Sequence, residues 1–190
     1  MKKLLFCLMM ITVINSVFAQ NNGSKLPPLD KSPMDMAYFP HNYPVLKIQN
    51  KATEPMIARV IYSRPQKNNR TIFGELVEYN KVWRLGANEA TEIEFFKDVR
   101  VGGKKIQKGK YTMYALVNPD NWAIILNKET DIWGAFKYDA AKDVVRVNLT
   151  VQKAPASIEA FSMAFDKSVT GANLLIGWDD VMVSLPISLK

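Results

Sequence analysis

The chain has 190 residues, 48% of them apolar and 23% charged, with 25 Lys and Arg against 18 Asp and Glu, one His and one Cys. That composition describes one globular domain and excludes disordered, collagenous and disulfide-stapled chains.

Residues 1–19 have the three parts of an export signal: a basic start at Lys2 and Lys3, an apolar run from Leu4 to Val17, and small residues at Val17 and Ala19 before a cut. Thr12, Asn15 and Ser16 interrupt a run already shorter than the roughly 20 residues that span a bilayer, so cleavage is expected rather than anchoring. The expected mature chain begins at Gln20, has no transmembrane segment and is periplasmic or secreted. Cys7 leaves with the signal, and the 171 residues that follow contain no cysteine. Disulfides, thiol nucleophiles, thiolate metal sites and thiol redox switching are thereby excluded, and the fold must rest on its apolar core. Loss of Lys2 and Lys3 leaves 23 basic against 18 acidic side chains, a net charge of +5 that favours anionic partners. No helix-turn-helix, zinc-finger or RNA-binding signature accompanies that charge, and nucleic acid is not an expected partner.

Residues 20–43, rich in Pro, Asn, Ser and Gly, show no sustained period and read as a tail or linker, with Met34, Met36, Tyr38 and Phe39 available to pack down. From residue 44 to 190 the pattern changes to short apolar-alternating runs between turn residues. Strands are expected at 45–49, 56–62, 82–85, 91–96, 111–117, 122–127, 144–151, 157–165, 173–178 and 181–187. The clearest is 144–151, where Val145, Val147, Leu149 and Val151 share one face and Arg146, Asn148 and Thr150 the other. Gly102-Gly103 suits a tight hairpin, Lys108-Gly109-Lys110 a second turn, Asn118-Pro119-Asp120-Asn121 a type I turn, and Asp179-Asp180 the last hairpin. Only 72–77 has helical character. About ten strands at this spacing predict an all-β fold, a single antiparallel β-sandwich of jelly-roll-like type with an irregular N-terminal segment.

The chemistry such a chain can perform is narrow. A catalytic triad needs a base, and the one histidine, His41, stands in a Pro-rich loop without H-x-H or H-E-x-x-H company. Neither Asp179-Asp180 nor the carboxylates at 139 and 143 match a calcium loop, so no metal and no cofactor are expected. Hydrolysis by two carboxylates needs only an acid and a partner about 5–9 Å apart, and Glu89, Glu92 and Glu94 are the candidates. On a strand Glu92 and Glu94 would stand about 7 Å apart on one face, which equally describes a solvated strand beside lysines.

The densest polar-aromatic group is Arg64, Arg70, Trp83, Arg84, Asn88 and Glu89. As a binding site, planar Arg forks would hold a carboxylate, sulfate or phosphate while Trp83 stacks on a sugar or acyl chain and Asn88 and Glu89 take hydroxyls. As a structural element, Trp83 would plug the sandwich, Gly86-Ala87-Asn88 would turn the chain and Glu89 would pair with Arg64 or Arg84. Of the other tryptophans, Trp122 and Trp178 lie in strand patterns and read as core. Trp133 joins two strands in a loop and is a further ligand candidate.

The runs YSRP, RTIFGELVEYNKVWRLGANEATEIEF, DVRVGGKKIQKGKYTMYAL and WAIILNKETDIWGAFKYDAAKDVVRV resemble the exported bacterial family called domain of unknown function 2911, common in Bacteroidetes. The likeness runs from about Leu29 to Ile187 and is most specific at the VWRxGANEAT block, Val82 to Thr91, with Leu85 at the variable place. It implies a periplasmic or secreted β-rich domain and brings no activity, ligand or catalytic residue. The expectation is a non-catalytic binding or accessory module for a carbohydrate or other envelope ligand, the partner being a glycan, an anionic envelope ligand or a protein. The alternatives are a carboxylate-dependent, glycosidase-like hydrolase and a structural envelope protein engaging a protein partner.

Overall fold

Alternation builds two antiparallel sheets that close face to face. The computed structural model describes residues 26–189; the expected export signal lies outside them. In chain order the strands are β1 (Met34–Phe39), β2 (Ala58–Ser63), β3 (Val82–Trp83), β4 (Glu92–Phe95), β5 (Val99–Val101), β6 (Lys104–Ile106), β7 (Gly109–Val117), β8 (Asn121–Asn127), β9 (Asp143–Thr150), β10 (Gln152–Ser168) and β11 (Gly171–Ser188). A seven-stranded sheet has the order β1-β2-β4-β7-β8-β9, with β3 pairing on β7, and a four-stranded sheet has the order β10-β11-β5-β6. The protein is an all-β sandwich.

Side chains that alternate inward meet between the sheets. On β9, Val145 and Leu149 are buried while Arg146, Asn148 and Thr150 are exposed, as the period of two requires. The densest part of the core is aromatic. Trp83 and Trp122 from the larger sheet meet Phe161 and Trp178 from the smaller, with Trp83 stacked on Trp178 at 6.0 Å and edge-on to Trp122 at 5.9 Å and Phe161 at 5.2 Å. Phe73, from the connection between β2 and β3, closes the group 5.2 Å from Trp122. Such pairs add about 0.5–1.5 kcal/mol each beyond area burial.

Three local expectations need correction. Residues 45–49 are not a strand: 45–48 lie in the short helix α1 (Tyr43–Ile48), which Gln49 caps and which has Pro44 in its first turn and buries no side chain. Residues 34–39, expected in an irregular segment, form β1, which pairs with β2 from Met34↔Ser63 to Phe39↔Ala58. Residues 72–77 form no helix; the segment is a loop pinned by buried Ile72 and Val77, with Val77 N–H donating to Ile72 O at 2.8 Å and Gly74 N–H to Val77 O at 2.9 Å.

The span β11 folds back on itself at Asp179, whose φ is 55°. Leu189 N–H reaches Thr170 O at 2.9 Å, and a Cβ on Gly171 would stand 2.3 Å from Ile187 O, so the end of β11 returns beside its start. The turn therefore falls at the expected Asp179-Asp180, inside a continuous extended span. Lys67 and Ser157 both bond the Asp179 carboxylate, with Ser157 Oγ at 3.2 Å.

Candidate functional site

The segment Val82 to Thr91 is held from both sides. Trp83 sits in the aromatic core and its Nε1–H donates to Gly86 O at 3.2 Å. Leu85 is fully buried at a φ of 54°. Gly86 packs so closely on β2 that a Cβ there would stand 3.0 Å from Ser63 O, at a φ of 145° where only glycine is at ease. Asn88 takes the left-handed conformation, φ 59°, and its carbonyl accepts from Gly134 N–H at 2.9 Å. Buried Thr91 returns the chain, its N–H donating to Arg84 O at 3.0 Å and its hydroxyl to Leu85 O. With both neighbours of Arg84 committed to the interior, its side chain is left for a cleft.

That cleft has two adjoining lobes which share Leu76, Val77, Trp83 and Arg84. The larger, about 300 Å³, continues between the loop at Leu76 and the loop at Phe136, with Glu78 and Lys81 on its wall. The smaller, about 170 Å³, runs to Arg70, Pro65, Gly86 and the edge of Trp178. Trp83 and Trp178, stacked on each other in the core, thus also line the cleft.

The electrostatics single out one residue. Among the six arginines of the chain, Arg59 pairs with Glu94 at 2.5 Å, Arg64 with Asp35 at 2.9 Å, and Arg146 with Asp143 at 2.8 Å. Arg70 donates to the carbonyls of Lys67 and Gln66, and Arg100 to Gly103 O at 2.9 Å. The Arg84 side chain makes no ion pair or hydrogen bond with any described residue, and its Nε is buried without an acceptor. Burial holds its pKa below the usual arginine value, although a guanidinium stays charged in proteins. Arg59 also has a buried, unpartnered Nε, but Glu94 neutralises its charge.

The other candidate residues are scattered. Arg64 lies apart from the cleft, bonded also to Phe161 O at 3.2 Å and Ser162 Oγ at 2.9 Å. Glu89 is exposed and pairs with neither Arg64 nor Arg84; its backbone bridges to Trp133. Asn88 serves the turn, and neither it nor Glu89 lines the cleft. Trp133 is 61% exposed in its loop, and Phe136 from that loop, absent from the sequence-based candidates, lines the larger lobe at 84% exposure. A Cβ on Gly134 would stand 2.6 Å from the Phe136 ring, so the ring lies against that glycine. A ring three residues from an exposed Trp, with a glycine between, was the available sequence signal.

Glu92 and Glu94 do share one face of β4, but each is engaged. Lys110 approaches Glu92 at 3.2 Å and Asp131 N–H donates to it at 2.7 Å. Glu94 stands in register between Arg59 and Lys110 on the two flanking strands. His41 is exposed beside a separate hollow with Asp35 and Arg64, and Ser162 there donates to Ala160 O at 2.7 Å rather than to histidine. Among the described residues no group of three or more His, Cys, Asp or Glu is placed to hold a metal.

Sheet order and cleft together define a two-sheet antiparallel sandwich with a cationic cleft lined by core tryptophans. The chain belongs to the family described as protein of unknown function (DUF2911), whose model matches residues 44–187. Neither the comparison with curated proteins nor that with solved structures gave a match. The matched region takes in the whole cleft apart from Ser32, while β1 precedes it. No helix among the described residues is long and apolar enough to cross a membrane.

Proposed function

We propose that this is an exported, non-catalytic binding module whose Arg84 cleft holds an anionic envelope ligand. One observation carries the reading: a half-buried guanidinium with no counter-ion lines a cleft. Leaving a buried donor unsatisfied costs about 1–3 kcal/mol, a cost the sequence could shed with any apolar side chain of similar length. An incoming carboxylate, sulfate or phosphate would pair with the terminal nitrogens of that guanidinium, which no described residue engages, and the flanking fixed backbone would make that binding pre-organised. Export rests on the signal-like residues 1–19, and the basic balance of the chain suits an anionic partner.

The hydrolase reading has less support. A general acid must be held protonated near neutral pH, whereas Glu92 and Glu94 each face a cation and stand outside the cleft.

The test is the melting temperature of the purified protein against sulfate, phosphate, glycans and peptidoglycan fragments. A ligand at a hundredfold excess over Kd adds about 2.7 kcal/mol, or about 5–10 °C for a domain of this size. The rise is expected with at least one anionic class and is lost in Arg84→Met. No rise with any class would refute the proposal.

A further inference from the structure

We infer that the anion held at Arg84 is the carboxylate of an acidic sugar whose ring occupies the lobe between Leu76 and Phe136. This rests on the binding reading above and narrows it to a substrate class.

The larger lobe is lined by the charged side chains of Glu78, Lys81 and Arg84 and by the apolar ones of Leu76, Val77, Val82, Trp83, Ala135 and Phe136. Arg84 brings one uncompensated positive charge. Glu78 and Lys81 are salt-bridged to each other, and both side chains remain more than half exposed. They offer an acceptor and donors to neutral hydroxyls without adding net charge. Phe136 rests against Gly134 and stays 84% exposed, which leaves its ring available to the C–H face of a pyranose. Leu76, at 47% exposure, lines the same lobe.

Competing anions match this arrangement less well. An alkyl carboxylate would set methylenes against Glu78 and Lys81 and lose their hydrogen bonds. A phosphate dianion would bring a second negative charge into a lobe that already contains Glu78 and has one uncompensated cation. A neutral sugar would leave Arg84 unanswered. A single carboxylate on a polyhydroxylated ring satisfies each group present, and the volume of about 300 Å³ is at the small end for ligand pockets, suited to one such ring.

The experiment is calorimetric titration of the purified protein with sodium glucuronate, methyl glucoside, inorganic phosphate and hexanoate, repeated on Arg84→Met, Arg84→Lys, Phe136→Ala and Glu78→Gln. Glucuronate is expected to bind at least about tenfold tighter than the other three, the factor that one charge-assisted hydrogen bond supplies. Arg84→Met should abolish the preference over methyl glucoside, Arg84→Lys should retain part of it, and Phe136→Ala and Glu78→Gln should each weaken glucuronate several-fold and narrow its margin over hexanoate. Phe136 and Glu78 are exposed, so their variants should fold. Phosphate or hexanoate binding in an Arg84-dependent way while glucuronate does not would overturn the acidic-sugar inference and leave the anion cleft standing. Glucuronate binding indifferent to both Phe136→Ala and Glu78→Gln would overturn the placement of the ring. Absence of Arg84-dependent binding by any of the anions would overturn this inference, and the anion-cleft reading falls with it if sulfate and the envelope fragments also fail.

Discussion

Arg84→Met separates a residue kept for a ligand from one kept for the fold. The substitution removes a guanidinium that bonds to no described residue and whose Nε is buried without an acceptor, and puts in its place an unbranched apolar chain that can lie along Val77 and Trp83. An unsatisfied buried donor costs about 1–3 kcal/mol, but this guanidinium keeps part of its hydration, so only a fraction is recoverable. The expected change is between zero and a gain of about 1 kcal/mol, equivalent to a rise in melting temperature of up to about 4 °C. Arg64→Met is the control, because it deletes bonds to Asp35, Phe161 O and Ser162 Oγ. It should lose about 1–2 kcal/mol, the lower end of what three part-exposed bonds allow. Urea unfolding of the three proteins, compared at midpoint with unchanged slope, measures both effects. A loss of 2 kcal/mol or more in Arg84→Met would refute the reasoning, since it would require the guanidinium to hold the fold together.

Three further outcomes follow from the same geometry. Trp83→Phe removes part of the aromatic stack and the bond to Gly86 O, and should lower stability by about 1–3 kcal/mol in urea unfolding while the protein still folds. Glu92→Gln and Glu94→Gln, each breaking one part-exposed ion pair, should cost less than about 1 kcal/mol and leave anion binding by calorimetry unchanged. Tyr138 is held neutral by burial and then by its hydrogen bond to the Asp143 carboxylate, its pKa pushed up to about 12. Between the ordinary tyrosine value and that pH the unfolded chain binds fewer protons than the folded one, so this contribution to stability is complete below about pH 10 and fades toward 12. Phenolate absorbance should show a late-titrating step that Tyr138→Phe removes.

How much of this could be read from the sequence varied with the signal each element carries. The run from 144 to 151 has an unbroken period of two and lands as β9, because nothing but a half-buried strand satisfies it. The apolar residues at 45, 46 and 48 fit strand or helix alike, and Pro44, favoured in a first helical turn, goes with the helix. Met34–Phe39 has no pattern of its own; it becomes a strand because the edge of β2 is open to pairing, a tertiary cause absent from local sequence.

The site shows the same division. Of the Arg, Trp, Asn and Glu residues singled out between 64 and 89, only Arg70, Trp83 and Arg84 line the cleft, and the structure gives Trp83, Leu85, Gly86, Asn88, Ala90 and Thr91 packing or turn duties. Only the three-dimensional arrangement shows that the Arg64 side chain has three partners and the Arg84 side chain none among the described residues. Phe136 enters the cleft from about fifty positions away, and its exposure depends on a loop with no periodic signal.

The most direct test of an anion site at Arg84 is a side-chain amide spectrum of the arginine Nε–H groups, with the Arg84 signal assigned by its loss in Arg84→Met. On titration with glucuronate, phosphate and sulfate in turn, a saturable shift of that one resonance is expected with at least one anion, while the signals of Arg64 and Arg146, whose Nε–H groups already donate to Phe161 O and the Asp143 carboxylate, stay in place. An Arg84 signal that moves with none of them would contradict the anion site.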